Sequence, residues 1–411
     1  MRTPSRHAGV TLVELLVALA VSSAVLVGVV AVARSQQQAY YDGARVRAAQ
    51  ASARNALLFF EQKVAQAGFG MAPSLAFDFD RSGGPCPAEL STGGTPDCVR
   101  DRTNDSDELV FYARNPVYWV PQSSAAEPSG RAWRVTALSS TELTVNAREG
   151  QTFRKGQVLL VVCDGATQYA YLTVSTTTAA PSGGGSVDLP LVTASSTHPF
   201  LGQDTATNAC FNQGTARAFQ IDRYRIHVRP VDVGGGRRDP YLVLDQGVDM
   251  GGSTAIDEAD EQFIAEGIES IQVAYVLANG TQVGTAAAVT LAAGAPGDSV
   301  ANKLTTLSFP GAAPVGSESV YSPTSWYRYY MGPPPAAERR TNHQANIRAV
   351  RIAVVARSPE PDPAKAWIPP ILNFNQTAAP AWIGGGDGYQ RVSFETTIPL
   401  PNMITQGMVY F

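Results

Sequence analysis

The sequence is poor in the residues that most enzymes use for acid–base and metal chemistry. It has four histidines and four cysteines in 411 residues, and charged residues make up 16%. No Gly-x-Ser-x-Gly, His-Glu-x-x-His or P-loop pattern occurs. Beyond the first nine residues the histidines are His198, His227 and His343, and none stands in a catalytic pattern. We therefore expect a protein that is not an enzyme and needs no metal or cofactor.

The charge balance also limits the kinds of partner that the protein can bind. The formal net charge is −4, and an acidic protein is a poor general binder of nucleic acid, so we expect no nucleic-acid partner. Hydrophobic residues make up 44%, enough for a substantial core, and the 37 glycines and 28 prolines fall in loops rather than in repeats. This composition favours a β-rich body with long connections.

The four cysteines allow three disulfide pairings, and the sequence does not choose among them. Cys86 and Cys98 flank a loop rich in Gly, Pro and Thr, so the preferred hypothesis joins these two and leaves Cys163 with Cys210. A metal site is the rival interpretation, but no Cys-x-x-Cys pair or nearby histidine supplies the ligand spacing.

One long apolar run begins at Val10 and ends at Ala33. Its 24 residues contain one charge, Glu14, and as a helix they would span about 36 Å, enough to cross a bilayer. A basic leader, residues 1–9, precedes it, and positive charge ahead of an apolar run keeps that end in the cytoplasm. No convincing signal-peptide cleavage site follows the run. The segment after it is therefore expected on the oxidising side of the membrane, where disulfides form.

Glu14 needs an explanation, because a charge in hydrocarbon costs a few kcal/mol or more. If the chain is cut between Gly9 and Val10, Glu14 becomes the fifth residue and a free amine lies one helical turn away on Val10. The carboxylate could then pair with the amine of a neighbouring subunit, and it suits the first turn of its own helix. The alternative is a plain signal anchor with Glu14 near the membrane surface.

The leader, Gly9, an apolar Val10 and then Thr-Leu-Val-Glu-Leu-Leu resemble the N-terminus of type IV prepilins. Val10 departs from the usual Phe at the first mature position but stays apolar. The resemblance implies cleavage after Gly9 by a prepilin peptidase, N-methylation of Val10 and packing of the helix into a filament core. Glu14 would act in subunit assembly.

A second helical pattern follows the apolar run. Apolar residues recur at steps of three and four from Val46 to Ala67, while charged residues fall off this stripe. Gly43 is expected to loosen the helix at its entry, and Gly68, Gly70 and Pro73 are expected to end it. The pattern predicts one long helix whose second half packs on a sheet.

The rest of the chain is predicted to form strands and loops. Residues 73–107 and about 281–342 are predicted to be loops, the latter an insertion. Two hairpins are predicted, one around Asp164-Gly165 and one around Gly234–Gly236. The predicted strands are 108–112, 132–136, 142–145, 157–163, 168–174, 219–228, 241–244, 268–277, 347–356 and 392–398.

The body resembles the PilW-type minor pilins. The segments that carry this looser likeness are Gly156–Asp164 with Tyr169–Val174, Tyr224–Ile226, Ile268–Tyr275 and Val350–Arg357. The length points to a low-copy subunit with an elaborate head, since major pilins are shorter. The J-type minor pseudopilin of type II secretion shares the leader and the helix-plus-sheet plan. A membrane-anchored periplasmic enzyme or binding module is the alternative of another class.

Two further segments have functional alternatives. Residues 101–108 carry enough oxygen ligands for calcium but lack the glycine and terminal glutamate spacing of an EF-hand, so we expect a solvated acidic loop. Residues 326–330, Trp-Tyr-Arg-Tyr-Tyr, suit a recognition patch, although a partly buried anchor is the more common role.

Together these observations predict an α+β protein: a long N-terminal helix, transmembrane then amphipathic, packed on a head rich in antiparallel β-sheet. The expected divisions are a leader (1–9), a transmembrane or filament-core helix (10–33), an amphipathic helix (34–70) and the head (71–411). The expected function is that of a minor pilin that primes pilus assembly or sits at the tip. Expected partners are other minor pilins, the major pilin, prepilin peptidase, the inner membrane and a tip adhesin. The protein would be single-pass with a periplasmic head, and would then enter the pilus.

Overall fold

The fold is given by a computed structural model. It describes residues 11–70, 76–78, 105–114, 132–163, 169–192, 214–235, 237–250, 260–277, 282–283, 347–362 and 387–404. All statements about the structure concern these residues. Of the predicted 281–342 insertion, only two residues fall within them.

The described chain begins with one helix, α1, which runs without a break from Leu12 to Val64. No proline interrupts it, and the predicted loosening at Gly43 is not seen: the helix continues through that residue. Beyond its end the chain turns at Gly68 and Gly70, which both have positive φ, 76° and 65°. Glycine adopts that conformation without the strain that a Cβ would bring. The predicted end of the helix is thus confirmed to within a turn.

The two parts of α1 have different surroundings. From Leu12 to Tyr41 every residue is exposed, although most are apolar up to Ala33. From Ala49 onward one face is buried, and the fully buried residues are Ala49, Ala53, Ala56, Phe60 and Val64. These lie at steps of three and four, so the predicted amphipathic stripe is confirmed. Three of the five are alanines, whose small side chains let the helix approach the sheet closely.

The other elements among the described residues are sixteen strands and one short helix. The strands are β1 (Phe77–Asp78), β2 (Leu109–Arg114), β3 (Trp133–Leu138), β4 (Glu142–Ala147), β5 (Thr152–Phe153), β6 (Val158–Cys163), β7 (Tyr169–Thr173), β8 (Thr178–Ala179), β9 (Gly185–Pro190), β10 (Ala216–Gly234), β11 (Arg237–Asp245), β12 (Gln262–Glu266), β13 (Ile268–Leu277), β14 (Gln282–Val283), β15 (Ile347–Arg357) and β16 (Arg391–Pro399). Helix α2 is Pro401–Ile404.

The strands form three antiparallel sheets. The large sheet has ten strands in the order β1-β2-β10-β3-β4-β9, with β6 and β11 also paired to β10, β7 to β6 and β12 to β11. A four-stranded sheet has the order β14-β13-β15-β16, and β5 pairs with β8. The 19-residue β10 is the longest strand and serves as the common partner of β2, β3, β6 and β11.

Both predicted hairpins are present, as β6–β7 and β10–β11. Two strands of five residues or more were not predicted. β9 has two buried apolar residues, Val187 and Leu189, and follows two glycines, Gly183 and Gly184, which indicate a turn. β12 was missed because it runs into β13, from which it is separated by Gly267 at φ 78°.

Two main hydrophobic cores hold the head together. The first lies between α1 and both larger sheets and includes Phe60, Phe111, Tyr224 and Ile352. The second surrounds Trp133 and is built entirely from residues 133–218. Helix α1 therefore forms one wall of the first core and contributes no residue to the second.

Phe60 and Leu58 allow a direct test of this packing. Phe60 is fully buried and Leu58, on the same helix, is 55% exposed. Phe60→Ala should lower the free energy of unfolding by about 3–5 kcal/mol because it leaves a cavity between helix and sheets. Leu58→Ala should change it by about 0.5 kcal/mol or less. Urea unfolding of the detergent-solubilised protein, followed by tryptophan fluorescence, measures both. Equal effects of the two substitutions would contradict the packing.

Candidate functional site

Thr11 and Glu14 cap the N-terminus of α1. Thr11 is the N-cap, and its hydroxyl accepts a hydrogen bond from the Glu14 amide at 3.3 Å. The Glu14 carboxylate reaches back and its Oε2 accepts bonds from the Thr11 amide at 2.9 Å and the Thr11 hydroxyl at 3.0 Å. This reciprocal arrangement is a capping box, which satisfies amides that the first helical turn leaves free. Glu14 is therefore held against the beginning of its own helix.

No described residue of the monomer packs against the apolar part of α1 that follows. Leu12, Leu16, Leu26 and Val27 are between 57% and 75% exposed. In the described part of the chain α1 is the one helix long and apolar enough to cross a membrane, and its most apolar window has no buried residue. Full burial of each such side chain is favourable by about 1.5–3 kcal/mol of free energy. This surface therefore requires lipid or other apolar helices around it.

Polar contacts join the second half of α1 to the head. The guanidinium of Arg45 lies 3.6 Å from the carboxylate of Asp362, which follows β15, and 3.5 Å from that of Asp42 on its own helix. Near the other end, Asn402 of α2 donates to the carbonyl of Ala65 at 3.0 Å. These contacts bracket the apolar interface at both ends and fix the head along the helix axis.

The acidic run before β2 is a structural junction. Asp107 is 1% exposed: its amide donates to the Ile271 carbonyl at 2.9 Å, and its Oδ2 accepts from the Val273 amide at 2.8 Å. Ser106 Oγ accepts from the Ile271 amide at 3.0 Å. The segment thus pairs with the edge of β13 and leads directly into β2, which ties the two larger sheets together. The prediction of a solvated acidic loop is wrong for residues 105–108.

The same run also meets a row of basic residues on β10. Glu108, 6% exposed, accepts two hydrogen bonds from the guanidinium of Arg225, at 3.1 and 3.2 Å. Such bidentate pairs are among the stronger polar contacts in proteins. The described carboxylates of this segment therefore already have protein partners, which removes the main reason to expect calcium there.

Farther along the same strand, His227 Nε2 lies 3.3 Å from Glu261 Oε1. Arg229 donates to Oε2 of that carboxylate at 2.6 Å. Burial raises the pKa of Glu261, but the hydrogen bonds and charges of His227 and Arg229 outweigh burial and hold the pKa below its ordinary value. His227 is mostly buried and contacts Glu261, as expected of a structural histidine.

A buried ionic network makes the second junction between the sheets. Glu269 is fully buried and accepts from Arg391 at 2.5 and 2.9 Å, while Arg391 also donates to Asp387 at 2.6 Å. Arg357, at the end of β15, lies 3.6 Å from Glu269 and donates to Asp239 of β11 at 2.8 Å. Buried charges are tolerated when paired in this way, and the loss of one partner is costly.

Most of the other predicted site residues lie outside the described residues: Gly9, Val10, Cys86, Cys98, Cys210, His198, His343 and residues 326–330. The backbone of Cys163 ends β6 opposite Ala216. Cleavage, methylation and the disulfide pairing remain predictions. In the described ranges no group of three or more His, Cys, Asp and Glu side chains could hold a metal ion.

Comparison with known proteins yields two family matches. The model described as type IV pilus-assembly protein W matches residues 233–402, which run from the end of β10 to α2. The model described as the prokaryotic N-terminal methylation motif matches residues 4–30. Among solved structures, a type IV-like pilin from Thermus thermophilus is 13% identical, with 61% of this chain and 86% of that chain covered and a TM-score of 0.16. No curated protein matches the chain.

A methylation motif at the start of a membrane-length helix defines a type IV pilin-like protein, anchored through that helix. The W-protein match adds the head and specifies the group within that class. Together the two matches support a PilW-type minor pilin of type IV pili. The predicted family is confirmed, and these matches favour it over a secretion pseudopilin or an anchored enzyme.

Asp107 tests the junction between the sheets. Asp107→Ala should lower the free energy of unfolding by about 2–3 kcal/mol, because the buried Val273 amide loses its acceptor. Asp107→Asn should cost less, since the amide oxygen can still accept. The matched control is Asp188→Ala on β9: that carboxylate is exposed and accepts from the Thr144 hydroxyl at 2.8 Å. Urea unfolding should give a change of about 0.5 kcal/mol or less for the control. A similarly small change for Asp107→Ala would show that the junction does not hold the sheets together.

Proposed function

We propose that this minor pilin is a non-enzymatic structural subunit that primes pilus assembly or sits at the pilus tip. The observation that carries the proposal is the continuity of α1. One helix of 53 residues has an apolar, uncovered first part and a second part that is a wall of the head core. A movement of the first part must therefore carry the head with it.

The proposed division of the chain follows the helix. Residues 1–9 are the leader, 10–33 the transmembrane or filament-core segment, 34–70 the amphipathic segment and 71–411 the head, with an insertion at about 281–342. Before assembly the head is periplasmic and the helix crosses the inner membrane once. In the pilus, other minor pilins and the major pilin replace the lipid around the apolar segment, and a tip adhesin is a further proposed partner.

Processing is proposed between Gly9 and Val10. The match to the methylation motif spans this junction, and prepilin peptidase is the proposed enzyme. The mature protein should begin at an N-methylated Val10. Gly9→Ala or a bulkier residue should block cleavage because each of these substitutions adds a Cβ at the junction. Mass spectrometry of the N-terminus, on protein from cells with the peptidase, measures both. An intact leader on the protein with the wild-type sequence would contradict the proposal.

Glu14 is proposed as the assembly contact. Its carboxylate is held at the Thr11 amide, beside the position where cleavage would place the Val10 amine. In the membrane Glu14 stays near the headgroups, but in a filament it leaves water, and an unpaired charge becomes expensive. The amine of a neighbouring subunit is its proposed partner there.

The capping box makes it possible to separate the charge of Glu14 from its role in the helix. Glu14→Gln keeps an acceptor for the Thr11 amide and removes the charge, Glu14→Leu removes both, and Glu14→Asp keeps the charge with a shorter reach. Cleavage should continue in all three. Pilus incorporation should fall about tenfold for Gln and Leu and less for Asp, as expected if a pair worth about 1.4 kcal/mol is lost.

The measurement is subunit abundance in membrane and sheared-filament fractions. Ser23→Ala is the matched control, since Ser23 bonds only to the Ala20 carbonyl in its own helix. Normal incorporation of Glu14→Gln with loss of Glu14→Leu would assign the effect to helix capping instead. Normal incorporation of both would remove Glu14 from the assembly contact.

A further inference from the structure

Two neighbouring tyrosines stand on α1 between the apolar segment and the head. Tyr40 is 68% exposed and Tyr41 is 52% exposed. Their rings meet edge to face with centroids 6.1 Å apart, and Gln37 donates to the Tyr41 hydroxyl at 3.4 Å. These contacts are all within the helix, so two large aromatic side chains remain on the surface. Neither the helix–head packing nor the proposed role of Glu14 uses them.

Their height above the membrane follows from the helix itself. The apolar segment ends at Ala33, and Arg34 is the first charge after Glu14. Tyr40 lies seven residues beyond Ala33, which is about 10 Å along an unbroken helix. Side chains of a helix lean toward its N-terminus, here toward the membrane, so the rings reach back by about one turn. That brings them to about 5 Å beyond the hydrocarbon edge, within the headgroup layer.

The head does not cover this position. The first ion pair between α1 and the head is that of Arg45 with Asp362, and the first buried helical residue is Ala49. Both lie farther from the membrane than the tyrosines. The stretch between Ala33 and Tyr40 is polar, with Arg34, one serine and three glutamines, which suits the headgroup level. Tyrosine, with an apolar ring and a wet hydroxyl, is enriched at this depth in membrane proteins.

We propose that Tyr40 and Tyr41 bind the lipid headgroup layer on the periplasmic side and set the height at which the subunit waits before assembly. The inference rests on the proposed membrane-spanning state. The tyrosine pair holds the helix at the periplasmic surface of the membrane, while Glu14 stays near the headgroups of the opposite surface. Between Glu14 and Arg34 lie 19 residues, which span about 29 Å and match the hydrocarbon thickness. The pair thereby keeps the head clear of the bilayer.

Depth-dependent quenching tests the proposal. The full-length protein is reconstituted in phosphatidylcholine vesicles whose lipids carry bromine either near the top of the acyl chain or near its end. Tyr41→Trp serves as the reporter, Val29→Trp (59% exposed) as the control inside the span and Leu58→Trp (55% exposed) as the control at head level. The signal of the five native tryptophans, measured in the parent protein, is subtracted.

The expected result is a distinct pattern for each position. Tyr41→Trp should be quenched at least twofold more by shallow bromine than by deep bromine, Val29→Trp by both and Leu58→Trp by neither. If Tyr41→Trp behaves like Leu58→Trp while Val29→Trp is quenched, the lipid contact is wrong and the membrane span stands. If Val29→Trp is not quenched either, the span and the lipid contact both fail.

A second measurement asks whether the pair sets the height of the helix. Tyr40→Ser with Tyr41→Ser is combined with the Val29→Trp reporter, because serine removes the rings and keeps the segment polar. The ratio of shallow to deep quenching at position 29 should then change, since the helix is free to shift along the membrane normal. An unchanged ratio would overturn the height-setting role. Both tyrosines are exposed and precede the buried face of α1, so the two substitutions leave the packing of the head intact.

Discussion

The uncovered apolar surface of α1 is the constraint on which the rest of the protein depends. Some twenty residues of Leu, Val and Ala project from one helix with nothing folded against them. At about 25 cal/mol per Å2, an apolar surface of that extent cannot remain in water. In the proposed function, lipid covers it before assembly and neighbouring helices cover it in the pilus. Since the helix is continuous into the head, the same backbone must serve both a membrane anchor and a core element. This explains why α1 has no proline and why it ends only after Val64.

The head is joined by polar contacts where its sheets meet. Among the described residues the two larger sheets share no strand pairing. They are linked by α1, by Ser106 and Asp107 at the edge of β13, and by the pairing of Arg357 with Asp239. Apolar packing alone tolerates sliding of one sheet past another, whereas buried hydrogen bonds to backbone amides have one register. These contacts therefore hold the two sheets in one arrangement.

The sequence predicted the parts of this fold that depend on local pattern. The apolar run, the stripe from Val46 to Ala67 and the β10–β11 hairpin each follow from the spacing of neighbouring residues. The role of Asp107 was missed for a physical reason: its partners, Ile271 and Val273, lie more than 160 residues away. An acidic run looks the same in sequence whether water or distant amides satisfy it. The one available signal in the sequence was a Ser-Asp pair shortly before an apolar strand. For the candidate site, the sequence identified Glu14, whereas the capping box fixes where its carboxylate points.

The two cores divide the head in a way that bears on how this subunit can vary. Residues 233–402, which match the W-protein family, build the four-stranded sheet and supply much of the core against α1. The core around Trp133 is formed by residues 133–218, outside that match, and reaches the rest mainly through β10. A substitution in that core changes packing that includes no residue of α1, so its strain is not transmitted directly to the helix. Substitutions near Phe60, by contrast, alter the packing of the helix on the sheets. The two cores therefore differ in what a substitution reaches: packing within the head for the core around Trp133, and the packing of the helix as well for the core around Phe60.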